Sequence, residues 1–194
     1  MNRIIRKMSD SEINDYANQF NANHSVLLSD FFEPSFLEKL QSLIDKQTFE
    51  FFHDPRIGKE YRIDSKEFYA KLNLIFSSAD FLNFFRQVSG KEEIRLATTR
   101  VYKILDEDDY QIHWHNDNRV ASRVLSLRIE LSKDAYEGGE FQLRRIGTTE
   151  LIANVGQLKY GETFLFQVDF NQFEHQVLQV TKGERVSLVI WFLK

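Results

Sequence analysis

The chain contains no cysteine, which excludes disulfides, thiolate catalysis and cysteine-ligated metals together. That absence fits a reducing compartment. Only 2 prolines are present, Pro34 and Pro55, among 194 residues, and no linker or low-complexity tract divides the sequence. There is no basic excess either. The formal net charge of −4 provides no electrostatic case for nucleic acid or an anionic membrane surface as a partner. No stretch approaches the roughly 18–20 apolar residues of a spanning helix. The basic start at 1–7 is not followed by the apolar segment of a secretory signal. A soluble, cytoplasmic protein is the expectation.

What the chain has in quantity is phenylalanine. The 18 Phe residues can build a core of large aromatic side chains. Apolar residues make up 42% and charged ones 28%, an ordinary globular balance, and the length suits one domain over 1–194. Up to residue 93 the sequence reads as mainly helical. Leu37, Leu40, Leu43 and Ile44 recur at helical spacing behind Pro34-Ser35, and a second run with Phe68, Leu72 and Phe76 opens at Ser65. A third, from Phe81 to Val88, opens at Ser78 and closes at Ser89-Gly90.

From Ile94 the period becomes two. Strands are expected at 95–105, 110–114, 124–131, 140–143, 163–168, 176–180 and 186–192, with Asp, Gly and Asn clusters between them. Many short strands behind a block of helices predict an α+β, mainly β chain. Its core over 94–194 would be a double-stranded β-helix, the cupin-like jelly roll, with supporting N-terminal helices over 1–93.

Of the 5 histidines, three lie in the β half. His115 and Asp117 are two apart, so an extended chain would point both to one face, and His175 supplies a third ligand from another strand. Two imidazoles and one carboxylate leave open positions on an octahedral ion, a set suited to non-haem iron(II). His-any-Asp alone is weak, since such pairs arise by chance. His113 beside His115 offers a second pairing, of the kind found in cupin-type metal sites. Arg185, placed after the Gly183 turn, can return to the same site and bind a carboxylate bidentately, with the Ser187 hydroxyl facing the same way. Along 124–131, Ser126, Arg128 and Glu130 alternate with leucine and isoleucine, as either a solvated strand face or the lining of the barrel. Gly138-Gly139 reads as a turn requirement, and Trp191 as a core aromatic.

From about Arg100 to Phe192 the chain resembles the 2-oxoglutarate and iron(II)-dependent oxygenases, nearest the prolyl-4-hydroxylase-like branch. His115, Asp117, His175 and Arg185 stand in that family's order, and Arg185-Val186-Ser187 matches its R-x-S clasp. Tyr102 resembles the tyrosine on the strand before the H-x-D pair. Arg123, Glu137-Gly138-Gly139 and the terminal 186–192 run look like further landmarks. The resemblance implies catalytic metal ligands His115, Asp117 and His175 on iron(II), with Arg185, Ser187 and Tyr102 binding 2-oxoglutarate. It implies O2 as a partner and ascorbate as a candidate cofactor. The outcome would be hydroxylation of an amino-acid residue of a protein or peptide, or of a small metabolite, with release of succinate and CO2. Arg128, Glu130 and Arg119 are the candidate substrate residues, and Arg144 and Arg145 hint at an anionic group on the substrate. The alternative is a non-catalytic or cupin-type metal-binding jelly-roll protein.

Overall fold

The computed structural model describes residues 3–107, 110–117, 120–169 and 171–194. In the first half, α1 (Asp10–Asn23), β1 (Ser25–Leu28), α2 (Pro34–Ile44), β2 (Phe49–Asp54), β3 (Gly58–Ile63), α3 (Lys66–Phe76) and α4 (Ala79–Ser89) follow in order. The second half holds β4 (Leu96–Leu105), β5 (Ile112–His115), β6 (Arg123–Glu130), β7 (Glu137–Gly138) and β8 (Phe141–Arg145). It ends with β9 (Leu151–Val155), β10 (Thr163–Gln167), β11 (Phe173–Val177), β12 (Val180–Lys182) and β13 (Glu184–Leu193).

The helix starts follow local chemistry. Pro34 occupies the first turn of α2, where its missing N–H costs nothing. Ser65 caps α3 by accepting from the Phe68 N–H, and Gly90 ends α4 in the left-handed region, as glycine does readily. The sequence reading did not foresee α1. It buries only Phe20, so its apolar stripe is faint, although Ser9 and Glu12 form a capping box at its start.

Eleven strands form one antiparallel sheet in the order β1-β10-β6-β13-β4-β3-β5-β11-β8-β9, with β2 on β3, and β7 and β12 pair separately. The sheet curls nearly closed into the expected jelly roll. The first half departs from its helical reading, because β1 joins β10 and the β2–β3 hairpin inserts between β4 and β5. That hairpin lacks clean apolar alternation, since its inward side carries the buried Glu60 and the half-buried Arg62. Gly58 allows it to close on β5, where a Cβ would collide with the Gln111 carbonyl oxygen.

The β6 strand shows how the sheet separates two environments. Leu125, Leu127 and Ile129 face the helices in one cluster with Phe81, Phe85 and Phe192. Ser126, Arg128 and Glu130 face the barrel interior, equally buried. Phe85 meets Phe192 with tilted rings at 4.5 Å and Phe81 edge-to-face at 4.9 Å, joining α4 to the last strand. Phe85→Ala should therefore cost about 3–5 kcal/mol, seen as a lowered midpoint in thermal or denaturant unfolding. A loss below about 1 kcal/mol would mean that the helices are not needed to support the barrel.

Candidate metal centre and active site

His175 and His115 are direct cross-strand partners of β11 and β5, so adjacent strands project both imidazoles to one side. Their ring centroids are 4.2 Å apart. Asp117 reaches them differently from the sequence expectation. β5 ends at His115, and Asp117 lies beyond it with φ 56°, a left-handed conformation that Asp tolerates better than most residues. The turn, and not strand parity, brings the carboxylate back. Its Oδ1 lies 3.9 Å from His115 Nε2 and its Oδ2 3.8 Å from His175 Nε2, and one ligand atom from each residue falls within 4.8 Å of the others.

His115 and Asp117 are oriented from behind by hydrogen bonds. His115 Nδ1–H donates to the His113 carbonyl at 2.8 Å, which leaves Nε2 for an ion. Asp117 accepts from Arg123 Nη1 at 3.1 Å and from the Trp191 indole at 2.8 Å. Trp191 is thus a carboxylate partner and more than the core aromatic read from sequence. Burial lowers the His175 pKa to about 3, aided by His115, so its imidazole is neutral, as a metal ligand must be. Burial alone would raise the Asp117 pKa, but His175, His115 and Arg123, with the indole bond, hold it below its ordinary value. Two imidazoles and a carboxylate on one side of a cavity fit iron(II). His113 is exposed and stands outside this group.

The triad opens into a cavity of about 340 Å³ inside the barrel. Cross-strand registers divide its wall into layers. Trp191 pairs with Ser126, which pairs with Phe166; one step along, Arg100, Val189, Arg128 and Phe164 align, and beyond them Tyr102, Ser187 and Glu130. Arg185 follows at the far end, opposite Ile104. It is 3% exposed, and its stem lies against Gly139, where a Cβ would come within 3.2 Å of Arg185 Cδ. Gly138 and Gly139 both have positive φ, so the pair serves as a turn that also leaves room for the arginine. Arg185 Nε and Ser187 Oγ are buried without a hydrogen-bond partner.

Tyr102 lines the same cavity, edge-on to Trp191, and burial raises its hydroxyl pKa well above the usual value. Arg128 lines it too, whereas Glu130 is turned into the wall, accepting from Ser132 and Tyr136. Arg119 lies outside the described residues. Arg144 is taken up by Glu174 at 2.8 Å and by the Trp114 ring, and Arg145 by His24 and Phe173, so neither lines the cavity. The sequence reading missed the hairpin wall, where Phe52, Asp54, Glu60 and Arg62 face the cavity. Charged side chains on a strand give no apolar period to read.

A jelly roll with two histidines and an aspartate at one end of its cavity, and a buried arginine at the other, defines a non-haem iron oxygenase. The comparisons agree. The model of the 2OG-Fe(II) oxygenase superfamily matches residues 98–193, and through this half the chain belongs to that superfamily. It is similar in fold to a 2OG-Fe(II) oxygenase family oxidoreductase from Burkholderia pseudomallei, with TM-score 0.72 and 22% identity over 100% of this chain and 96% of that one. A prolyl-4-hydroxylase from Pseudomonas putida matches with TM-score 0.67 and 14% identity, over 94% of this chain and 98% of that one. A Trichoplax adhaerens prolyl hydroxylase, solved with a hypoxia inducible factor oxygen degradation domain peptide, matches with TM-score 0.70 and 16% identity over 94% and 89%. No curated protein matches the chain by sequence.

Titration with Mn(II) should find one tight ion per chain. Asp117→Ala should weaken it by more than the roughly 10–100-fold that loss of a supporting partner costs, while His113→Ala leaves it unchanged. The reverse ranking would move the site to the cupin-type pair.

Proposed function

We propose that the chain is an iron(II) and 2-oxoglutarate-dependent hydroxylase. Its product would be a hydroxylated amino-acid residue of a protein or peptide, or a hydroxylated small metabolite, formed with succinate and CO2. The observation that carries this reading is the pair of unpartnered buried donors, Arg185 Nε and Ser187 Oγ, in the same cavity as the metal triad. A buried guanidinium N–H without an acceptor is costly, and a carboxylate at that point satisfies it in a charge-assisted bond. A metal-binding module without turnover has no use for such a group.

Iron(II) would be held by His115, Asp117 and His175, and with 2-oxoglutarate and O2 it would supply the oxidant, the 2-oxo acid leaving as succinate and CO2. The chain's own residues do the rest. Arg185 and Ser187 fix the far carboxylate, and Tyr102, across the sheet from Ser187, closes the side of that end. Arg123 and Trp191 keep the Asp117 carboxylate turned toward the histidines. Phe141 and Phe166 pack on the His175 ring at 5.5 and 5.0 Å, excluding water from that side.

The hairpin wall favours a polar substrate. Glu60 is buried, and burial pushes its carboxyl up to about 7. Arg62 lies over the Phe52 ring and 3.9 Å from Glu60, and Arg100 enters the cavity beside them. Groups of both signs at one wall suit a substrate that carries both, as an amino acid or a peptide backbone dipole does. The prolyl hydroxylases of similar fold support a peptide among the candidates.

Incubation with iron(II), O2 and 2-oxoglutarate should release succinate, and mass spectrometry of candidate peptides and metabolites should find a gain of one oxygen. Arg185→Ala should weaken the apparent affinity for 2-oxoglutarate by about 1.5–3 kcal/mol, roughly ten- to a hundredfold or slightly more. An unchanged affinity would remove Arg185 from the co-substrate site.

A further inference from the structure

The far end of the cavity holds more donors than one arginine–serine clasp requires. Arg128 lies on β6 between Val189 and Phe164, one layer from the Ser126–Trp191 row and one from Ser187. It is 3% exposed, and none of its three guanidinium nitrogens has a hydrogen-bond partner. The nearest carboxylate is Glu130, whose Oε2 is 3.8 Å from Arg128 Nη2 and equally 3.8 Å from Arg185 Nε. Neither distance is a hydrogen bond.

Glu130 has other work. Its Oε1 accepts from the Ser132 N–H at 3.1 Å and hydroxyl at 2.6 Å, and its Oε2 from Tyr136 at 3.0 Å. One fixed carboxylate therefore sits between two guanidinium groups without satisfying either. Two positive charges and one negative leave this end at +1, and one carboxylate from a ligand brings it to zero. Burial is severe enough to lower the Arg128 pKa to about 9, with Arg185 adding to the effect. Apolar neighbours on both sides leave the cavity as the place from which an acceptor can come.

We propose that Arg128 is a second anchor for the far carboxylate of the co-substrate, so that two guanidinium groups grip it with Glu130 as their internal counter-ion. This rests on the reading that 2-oxoglutarate occupies the cavity, and it adds a residue that the single-arginine clasp does not include. Arg128 and Glu130 enter together as a neutral pair, adding donors without adding net charge. Losing Arg128 alone leaves Arg185 neutralised by Glu130, and an incoming carboxylate then meets no net positive charge. Removing the Glu130 charge as well restores +1.

Binding of 2-oxoglutarate to the full chain loaded with Mn(II), measured by calorimetry without turnover, tests this. Arg128→Met should weaken binding on the order of a hundredfold, with Mn(II) affinity unchanged. The double variant Arg128→Met with Glu130→Gln should recover at least about tenfold of that loss, a coupling that independent sites would not show. Wild-type affinity in Arg128→Met, or a double variant no better than the single one, overturns the proposal. If Arg128→Met also loses Mn(II), Arg128→Lys carries the test. It keeps the charge without the planar fork, and should bind less tightly than the wild type; equal affinity there overturns the proposal. Arg185→Met separates the two readings. Full affinity in that variant means 2-oxoglutarate does not occupy this end at all. Loss with Arg185→Met alone leaves the co-substrate reading standing and removes Arg128 from it.

Discussion

A barrel interior lined with charge must be kept dry by apolar packing on its outside, and the rest of the structure depends on that separation. The β6 strand carries both sides of the requirement within a few residues. Leu125, Leu127 and Ile129 enter the helical core with Phe81 and Phe85, while Ser126, Arg128 and Glu130 are buried on the opposite side. The supporting helices are therefore part of the site's chemistry, although they contribute no side chain to it. Without them the outward row of β6 would meet water, and the sheet would have no reason to hold its curvature around a polar cavity.

Inside the barrel, electrostatics set the roles. At one end a carboxylate is kept ionised between two imidazoles and an arginine, which prepares it to receive a cation. At the other, two arginines outnumber one glutamate, which prepares that end to receive an anion. A co-substrate with an oxo-acid group at one end and a carboxylate at the other has the chemistry that these two ends would take. At the arginine end, Arg185 Nε, Ser187 Oγ and the three Arg128 guanidinium nitrogens are buried without partners, so groups that cost the fold stability are the ones placed to bind.

The sequence carried the site more fully than the fold. His115, Asp117, His175 and Arg185 were legible because their chemistry is confined to a few residue types at fixed intervals, and the β half because its outward faces alternate. Yet parity gave the right ligands for an incomplete reason, since Asp117 arrives through a left-handed residue beyond the strand. The β2–β3 hairpin was hidden because its inward side bears Glu60 and Arg62, which break the apolar period. The faint stripe of α1 hid that helix in the same way. Trp191 looks like any core aromatic in a terminal strand, and only the fold brings its indole N–H to Asp117. The interior role of Arg128 was one of two readings open to an alternating strand, decided by which side of β6 the helices cover.

That metal and co-substrate ends form one site is tested most directly by thermodynamic linkage. Titration of 2-oxoglutarate into metal-free and Mn(II)-loaded protein, and of Mn(II) with and without 2-oxoglutarate, should show each ligand strengthening the other by the same factor. That factor should be at least about fivefold, the low end of typical coupling between sites. Equal affinities in both pairs of titrations would mean that the triad and the arginine end act independently, and would contradict the account.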